Sequence, residues 1–270
     1  MVSEHSTQQD RGLDEAATLA VLAGGEGSRM GMPKGLLSIH GEPILAYLLR
    51  QIAWPGPTML VSAPGREHPP GCDKFSVEVT DPQAQGPLRG ILTALENLTT
   101  PLAVVLTVDM PGVRIEHVRW LIERLAERPQ AMGIMCQRAA RSDSNVEGEQ
   151  QVARGSCSPF PSGPGGRRGG CVSGANSADG PHPNPPPEYR RREKILSGTV
   201  AIEPFPSVYR REAGGEIAQH LASGRRSVHG LLDRAGFVAI GAPSEWEPHV
   251  WVNLNRPREL EAYLKSKDPT

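Results

Sequence analysis

The sequence predicts an α/β domain of three layers around a central mixed, mostly parallel sheet, and three observations support this. Short β-branched runs alternate with segments of helical periodicity over residues 18–137. That alternation is typical of βαβ units, in which successive strands pair in parallel. The chain has 4 Phe, 4 Trp and 4 Tyr among 270 residues, so its core must consist mainly of Leu, Val, Ile and Ala.

In the first half of the chain, strands and helices are predicted in alternation. The predicted strands are Thr18–Leu22, Thr58–Ser62, Ala103–Val108 and Met132–Cys136. The predicted helices are Pro43–Trp54, Leu88–Leu98 and Arg114–Glu127. Apolar residues of the third helix recur at i, i+3, i+4 and i+7, which places them on one helix face.

The last 76 positions, from residue 195 onward, return to ordered patterns after a break. The predicted strands there are Thr199–Ile202, Phe237–Ile240 and Val250–Asn253. The predicted helices are Ser207–Ala222, Ser227–Ala235 and Pro257–Lys265.

Composition divides the chain into four regions. Residues 1–17 are polar and predict a flexible tail, and residues 18–138 form the first half of the domain. Residues 139–194 predict a disordered insertion, since Gly, Pro and Ser supply 21 of the 35 residues 153–187. Such a segment buries too little apolar surface to offset about 1–2 kcal/mol of ordering entropy per residue. Residues 195–270 form the second half of the domain.

Charge and composition exclude several classes of protein. The chain has 29 Lys+Arg and 30 Asp+Glu, so we expect no nucleic-acid partner. No apolar run approaches the roughly 18 residues of a membrane span, and no secretory segment is visible. The four cysteines, at positions 72, 136, 157 and 171, form no CxxC pair. This pattern favours a reducing, cytoplasmic location over a disulfide or zinc framework.

The most informative stretch follows the first predicted strand, from Leu22 to Lys34. Its glycines permit a sharp turn that brings backbone N–H groups close to an anion. Arg29 and Lys34 add two cations. A triphosphate requires this combination of backbone donors and side-chain charge.

Alternative interpretations of the glycine stretch fit less well. A plain turn leaves the two cations unexplained. A dinucleotide-binding fold needs a helix that starts inside the glycines and an acidic residue after the second strand. Here Met32 and Pro33 occupy the place of that helix, and the second strand is followed by Ala63 and Pro64. A GxxxxGK[ST] P-loop is absent, because Gly35 follows the lysine.

With this loop, the sequence resembles the molybdenum cofactor guanylyltransferases and their relatives among nucleotidyltransferases. Residues 22–37 match LAGGxxxRMGxxKxLL, and residues 81–90 are similar to D…GPLxG. Residues 109–111 are similar to D-x-P, and residues 253–257 to NxNTP. The resemblance implies a Rossmann-like nucleotide-diphospho-sugar transferase fold, with a nucleotide-binding half (18–138) and an acceptor-side half (195–270).

The resemblance also implies a reaction and its partners. GMP would be transferred from GTP to the terminal phosphate of molybdopterin, releasing pyrophosphate and forming the guanine dinucleotide cofactor. Because the acceptor is already an anionic phosphate, catalysis requires positioning and electrostatics rather than a side-chain nucleophile. The implied partners are these substrates, with transient contacts to other cofactor-biosynthesis or molybdoenzyme-maturation proteins and no membrane.

Asp109 is the expected metal ligand. It follows the apolar strand Ala103–Val108, so its carboxylate emerges at the carboxyl edge of the sheet, where α/β folds bind ligands. A carboxylate oxygen suits Mg²⁺, which is the expected cofactor. The alternative is that Asp109 caps the following turn. We expect the glycine loop with Lys34 and Asp109 to face each other across one crevice.

The resemblance assigns further residues to the site. Lys34 and Arg29 would hold the triphosphate and, with Asp109, form the catalytic set. The nucleotide-binding residues would be Leu22, Ala23, Gly24, Gly25, Lys34, Asp81, Gly86, Pro87, Leu88 and Asp109. The carboxylate of Asp81 can accept hydrogen bonds from guanine or ribose, or it is a plain turn residue. The backbone N–H groups that open the helix after Gly86 can meet the base or a phosphate.

Four residues of the second half have open roles. Asn253 and Asn255, expected on one side of a strand, contact the metal or acceptor, or cap the last helix. Arg225 and Arg226 contact the pterin phosphate or are solvated charges.

The sequence departs from the family pattern at several positions. Pro33 stands where the family commonly has Asp, and Arg89 where it often has Ala. The rival functions are therefore transfer from CTP to the same pterin, transfer to a sugar phosphate, or a catalytically silent nucleotide-binding regulator. The Ala-Gly-Gly at residues 23–25 favours GTP, because the cytidylyl relatives usually have Ala-Ala-Gly.

Overall fold

Strands and helices alternate along the chain, as a computed structural model shows for residues 12, 14–25, 27, 29–138, 201–246 and 248–267. The strands are β1 (Ala17–Leu22), β2 (Ser38–Ile39), β3 (Glu42–Pro43), β4 (Thr58–Ser62), β5 (Val77–Thr80), β6 (Leu102–Thr107), β7 (Gly133–Arg138), β8 (Ala201–Arg210) and β9 (Phe237–Gly241). The α-helices are α1 (Ile44–Ile52), α2 (Pro87–Glu96), α3 (Ile115–Ala126), α4 (Ala213–Ala222) and α5 (Pro257–Lys267).

Seven of these strands form one mixed sheet in the order β5-β4-β1-β6-β8-β7-β9. The pairs β5-β4, β4-β1, β1-β6 and β7-β9 are parallel. Only β8 is antiparallel to its neighbours β6 and β7 within the described part of the chain. The predicted fold class, a mostly parallel mixed sheet with helices, is confirmed.

The centre of the sheet is apolar on both faces. All six residues of β1 are buried, and so are the four central residues of β6. Continuous apolar strands of this kind are expected where helices cover both faces of a parallel sheet. In α1 and α2, the apolar residues are grouped on one side of the helix and belong to the same core.

Strand register aligns the carboxyl ends of three neighbouring strands. Leu22, the last residue of β1, is paired with Val61 of β4 and with Thr107 of β6. The segments that follow these strands therefore leave the sheet side by side. This alignment brings the glycine loop close to the residues that follow β4 and β6.

A short hairpin between the glycine loop and α1 was not predicted. It pairs β2 with β3, and its turn contains His40 at φ +50° and Gly41 at φ +78°. Two consecutive positive φ values are typical of a tight two-residue hairpin turn. Strand β5 was also not predicted; two of its four residues are exposed, so its apolar pattern is weak.

Two predicted elements of the second half were wrong. Residues 207–210 belong to β8 rather than to a helix, because pairing with β6 and β7 outweighs their local pattern. The predicted strand Val250–Asn253 is an irregular segment instead. Its Trp251 is buried against Trp246, at 5.7 Å between ring centroids, so aromatic packing rather than a sheet partner fixes this segment.

The strand predicted at Thr199–Ile202 continues to Arg210, and a 3₁₀ helix, His229–Asp233, replaces the predicted helix Ser227–Ala235. The other predicted helices and strands are confirmed with small shifts of their ends. The predicted insertion 139–194 lies outside the described residues, as does most of the predicted tail 1–17. The end of the predicted tail is among the described residues, and Ala17 is the first residue of β1. Asp14 is buried, and both of its carboxylate oxygens accept hydrogen bonds from Arg119, at 3.2 and 2.8 Å.

Within the described residues, none of the helices combines the length and apolar character needed to cross a bilayer.

Candidate functional site

A cavity of about 320 Å³ opens at the carboxyl edge of the sheet, where β1, β4 and β6 end. Its walls come from the glycine loop, from the segments after β4, β5 and β6, and from the start of α2. The described residues that line it are Leu22, Gly24, Gly25, Lys34, Val61, Ser62, Ala63, Asp81, Ala84, Gly86, Pro87, Gly90, Thr107, Val108 and Asp109.

The glycine loop folds back on itself at Gly27. This residue has φ +60°, and a Cβ atom there would lie 1.9 Å from the carbonyl oxygen of Met32. Only glycine fits such a position. The N–H of Met30 donates to the carbonyl of Gly27 at 2.8 Å, which closes the turn. Gly24 and Gly25 precede this turn, and both line the cavity.

Lys34 follows the glycine loop and starts a 3₁₀ helix, Lys34–Leu36. Its ammonium group Nζ donates a hydrogen bond to the carboxylate Oδ2 of Asp109. The two side chains are 19% and 7% exposed, so the ion pair is largely shielded from water. The structure brings these two predicted residues into direct contact, whereas we predicted them on opposite sides of a crevice.

Asn255 is the third member of this cluster. Its side-chain oxygen Oδ1 accepts a hydrogen bond of 2.6 Å from Lys34 Nζ. The preceding residue, Leu254, is fully buried, and its N–H donates to the carbonyl of Asp109 at 2.9 Å. The N–H of Asn255 donates to Oε2 of Glu259 at 2.7 Å. These bonds hold the segment before α5 against the end of β6.

Two hard oxygen atoms therefore lie within hydrogen-bond distance of one ammonium group, that of Lys34. Oδ2 of Asp109 and Oδ1 of Asn255 both accept from the same ammonium group. A carboxylate and an amide oxygen are ligands that Mg²⁺ accepts in proteins, together with water and phosphate oxygens. The donor set present at this end of the cavity fits the expected cofactor.

Asp81 also lines the cavity and is only 5% exposed. Its N–H donates to the carbonyl of Ser62 at 2.8 Å, which ties it to the end of β4. Its Oδ1 accepts from the N–H of Gln83 at 3.1 Å and lies 3.6 Å from Nε of Arg89. Arg89 also pairs with Glu96 at 2.9 Å. The contact of Arg89 with Asp81 was not predicted, because in the sequence Arg89 is only a departure from the family pattern.

The start of α2 closes one wall of the cavity. Gly86, at φ +92°, precedes the helix, and Pro87 is its first residue. Gly90 lies one turn later, where a Cβ atom would be 3.3 Å from the side chain of Leu22. The absence of a side chain at Gly90 thus lets the helix approach β1 closely. The side chain of Leu88 is fully buried in the core, so only its backbone can face a ligand.

Arg66 is another residue near the site that was not predicted from the sequence. It follows β4, and its Nη1 donates to the carbonyl of Gly24 at 3.0 Å. A cation is thus fixed next to the glycine loop. The only sequence signal for it was an arginine a few residues after the second predicted strand, which is too common to indicate a site.

Several predicted residues lie elsewhere. Arg29 is exposed, and it is not among the described residues that line the cavity. Ala23 is buried and can contact a ligand only through its backbone. The side chain of Asn253 donates to the carbonyl of Trp251 at 3.2 Å rather than meeting Asp109. Arg225 and Arg226 are exposed on the connection after α4, away from the lining of the cavity.

A comparison with protein families identifies the family of this chain. The model of the MobA-like NTP transferase domain matches residues 19–236, which is most of the chain. The chain belongs to this family. The resemblance found from the sequence motifs is therefore confirmed.

Curated relatives match the chain in part. A probable molybdenum cofactor guanylyltransferase of a Nostoc species is 35% identical over 118 residues, which is 42% of this chain and 55% of that protein. The molybdenum cofactor guanylyltransferase of Methylibium petroleiphilum is 36% identical over 121 residues, or 43% and 57% of the two chains. The chain thus spans about half the length of these curated relatives.

Solved structures confirm the fold. Molybdopterin-guanine dinucleotide biosynthesis protein A from Archaeoglobus fulgidus has a TM-score of 0.57 and 18% identity, covering 92% of this chain and 97% of that one. A CMP:2-keto-3-deoxy-manno-octonic acid synthetase, solved with CTP, has a TM-score of 0.54 and 15% identity, covering 93% and 98%. At these identities the likeness concerns the fold alone.

Proposed function

We propose that the protein transfers GMP from GTP to the terminal phosphate of molybdopterin and releases pyrophosphate. The observation that supports this most is the convergence of Lys34, Asp109 and Asn255 beside the glycine loop. Lys34 and Asp109 line the cavity together with glycine backbone, and the amide of Asn255 accepts from the same ammonium group. A triphosphate requires such an arrangement of donors and charge.

The proposed reaction needs no nucleophile from the protein. A phosphate oxygen of molybdopterin forms a bond to the α-phosphorus of GTP, and the bond between that phosphorus and the β-phosphate bridging oxygen breaks. The electron pair leaves with pyrophosphate. The protein then contributes positioning and electrostatic stabilisation of charge on the phosphates.

Lys34 and the glycine loop would hold the phosphates. The Lys34 ammonium has three N–H donors, and two of them meet Asp109 and Asn255. The backbone of Gly24 and Gly25 lines the same cavity and offers further contacts. Arg66, which donates to the carbonyl of Gly24, adds positive charge next to the glycine loop. Arg29, which is exposed, would reach the phosphates only if its side chain reoriented on binding.

Asp109 and Asn255 are the residues that would hold Mg²⁺. When bound, the ion would supply Lewis-acid stabilisation of the charge on the phosphate oxygens. Both side chains also accept hydrogen bonds from the Lys34 ammonium, which ties the proposed metal ligands to the proposed phosphate-binding cation.

Asp81 is the proposed contact for the nucleoside. Its Oδ1 is engaged by the N–H of Gln83 and faces Arg89, which fixes the direction of the carboxylate. A carboxylate held in this way can accept hydrogen bonds from the N–H groups of guanine or from ribose hydroxyls. Gly86, which precedes α2, and Pro87, the first residue of α2, also line the cavity.

The relatives support the choice of substrates. The matched proteins from Nostoc and Methylibium petroleiphilum are named as molybdenum cofactor guanylyltransferases. By extension we propose GTP and molybdopterin as substrates, and transient contacts with proteins that make or insert the cofactor. Cytoplasmic location stays a prediction from the sequence.

Pyrophosphate release tests the proposal. The full chain would be incubated with molybdopterin, Mg²⁺ and each of GTP, CTP, ATP and UTP in turn. We expect turnover with GTP and little with the other three. Turnover with CTP but not GTP would contradict the proposed base. Nucleotide binding without turnover of any triphosphate would favour the silent regulator.

A further inference from the structure

Three side chains with different metal-binding atoms meet beside β5: two come from the loop between β4 and β5, and the third comes from β5 itself. One ligand atom each from His68, Cys72 and Glu78 lies within 4.8 Å of the others. These residues do not line the cavity described above. Nitrogen, thiolate sulfur and carboxylate oxygen are the three kinds of donor that Zn²⁺ uses in proteins.

The local backbone fixes two of the three donors relative to each other. His68 has φ +56°, and its N–H donates to Oε1 of Glu78 at 3.0 Å. Its ring nitrogen Nδ1 lies 2.9 Å from the other oxygen of the same carboxylate. Glu78 belongs to β5 and is paired in register with Leu60 of β4. The sheet therefore holds the carboxylate, and the carboxylate orients the histidine.

The third donor is placed by a turn that depends on glycine. The N–H of Cys72 donates to the carbonyl of Pro69 at 3.0 Å. Between them, Gly71 has φ +89°, and a Cβ atom there would lie 3.0 Å from the backbone nitrogen of Ala46 on α1. The turn thus packs closely on α1 and directs Cys72 toward the histidine and the glutamate. Cys72 is a free, half-buried thiol.

We propose that His68, Cys72 and Glu78 bind one Zn²⁺ ion, with the fourth position open to water. In a tetrahedral zinc site with bonds of about 2.0–2.3 Å, ligand atoms lie about 3.3–3.7 Å apart. In the cluster, the ligand atoms lie within 4.8 Å of one another, and Nδ1 of His68 is 2.9 Å from Oε2 of Glu78. The His68 side chain is 83% exposed, so solvent has access to the open position. The Cys72 thiol releases its proton to solvent when the metal binds.

The ion would stabilise the loop between β4 and β5, which also contacts the cavity and the glycine loop. Ala63, at the start of this loop, lines the cavity, and Arg66 donates to the carbonyl of Gly24. Pro69 lies 3.5 Å from the position that a Cβ atom of Gly35 would occupy, next to Lys34. The spacing H-x3-C-x5-E contains no cysteine pair, which is why the cysteine pattern indicated no zinc framework.

Titration of the chelator-treated full chain with Co²⁺ tests this site without any nucleotide. We expect a thiolate-to-cobalt charge-transfer band in the near ultraviolet that saturates at one Co²⁺ per chain, and loss of this band when Zn²⁺ displaces the ion. Cys72→Ser should abolish the band. His68→Gln and Glu78→Gln should each weaken Co²⁺ binding by about tenfold or more. Circular dichroism would verify that these variants are folded.

Two matched controls separate the site from other donors. The double variant Cys157→Ser/Cys171→Ser removes the cysteines outside the described residues, and His249→Gln removes another exposed histidine. Both should keep wild-type binding and the band. A wild-type chain without the band, a band that persists in Cys72→Ser, or a band lost in the double-cysteine control would overturn the proposal.

Discussion

Oδ1 of Asn255 accepts a 2.6 Å hydrogen bond from Nζ of Lys34, although 221 positions separate the two residues in the sequence. The bond joins the segment before the last helix to the residue that ends the glycine loop. The N–H of Leu254, next to Asn255, also donates to the carbonyl of Asp109. The side chains of Lys34, Asp109 and Asn255 therefore form one connected cluster. The two halves of the domain thus contribute jointly to the candidate site.

Asn255 and Asn253 form a matched pair for the first prediction. Asn255→Ala should lower kcat by about 10- to 100-fold, because a hydrogen bond to a charged group contributes about 1.5–3 kcal/mol. Asn253→Ala should change kcat by less than about threefold, since the Asn253 side chain bonds to the carbonyl of Trp251 instead. Steady-state pyrophosphate release measures both. Equal losses in the two variants would contradict the assignment.

The second prediction concerns the charge of Lys34. Lys34→Met should reduce kcat by about 100-fold or more, because it removes the ammonium group proposed to meet the phosphates. Lys74→Met is the control, since Lys74 is exposed and pairs only with its neighbour Asp73 among the contacts described. Near-normal turnover in Lys34→Met would remove this residue from the mechanism.

Lys34→Met should also lower the free energy of unfolding, by about 1–3 kcal/mol, because it leaves the buried carboxylate of Asp109 without its partner. Adding Asp109→Asn to the same chain should restore most of that stability without restoring activity. Urea unfolding of the single and double variants measures the difference. This result would show that the activity loss is not a consequence of instability.

The third prediction concerns the metal ligand. Asp109→Asn should lower turnover by about 100-fold or more at ordinary Mg²⁺ concentrations, because a neutral amide binds the ion more weakly than a carboxylate. The Mg²⁺ concentration for half-maximal activity should rise. Asp73→Asn, on an exposed residue, serves as control. An unchanged Mg²⁺ dependence would exclude Asp109 as a ligand.

The fourth prediction separates binding from chemistry at Asp81. Arg89→Ala releases one side of the Asp81 carboxylate, so the KM for GTP should rise about five- to tenfold while kcat stays within about twofold. Glu96→Gln breaks only the exposed contact of the same arginine and should leave the KM nearly unchanged. A fall in kcat without a change in KM would contradict a role in nucleoside binding.

The fifth prediction concerns stability and pH. Burial lowers the pKa of His117 from 6.5 to about 4. Between about pH 4 and pH 6.5, His117 is mostly protonated in the unfolded chain and mostly neutral in the folded chain. The free energy of unfolding should therefore fall as pH decreases from about 6.5 to about 4, by up to about 2 kcal/mol after partial solvent screening, and this group adds no pH dependence above that range.

His117→Gln tests that account. The Nδ1 atom of His117 accepts from the N–H of Arg114 at 2.9 Å, at the start of α3, and a glutamine oxygen can accept the same bond. The variant should thus stay folded and lose less stability than wild type between pH 6.5 and about 4.5 in urea unfolding. His249→Gln, on an exposed residue, should behave like wild type. Identical pH profiles for all three chains would contradict the prediction.

The sequence was sufficient to predict the three central parallel strands of the sheet. Strands β1, β4 and β6 are apolar runs with clear turn signals on either side, so their pattern is local. The pattern of the glycine loop is also local. A Cβ atom at Gly27 would collide with the carbonyl oxygen of Met32, only five residues away, so glycine is required there. Lys34 and Asp109 were predicted in one crevice because both follow carboxyl ends of parallel strands.

Long-range contacts explain what was missed. β8 is a strand because β6 and β7 flank it, and residues 207–210 alone do not carry that information. Only Asn255 of the two asparagines reaches Lys34, since aromatic packing of Trp251 makes the segment irregular instead of a strand. The bond of Arg66 to Gly24 and the contact of Arg89 with Asp81 likewise join separate segments.

The most direct measurement is a crystal structure of the full chain with GTP and Mn²⁺ in place of Mg²⁺, using anomalous scattering to locate the ion. We predict an anomalous peak in coordination contact with Asp109, with the triphosphate along the glycine loop and Lys34. A nucleotide and ion bound anywhere else on the molecule, or an ion remote from Asp109, would contradict the account.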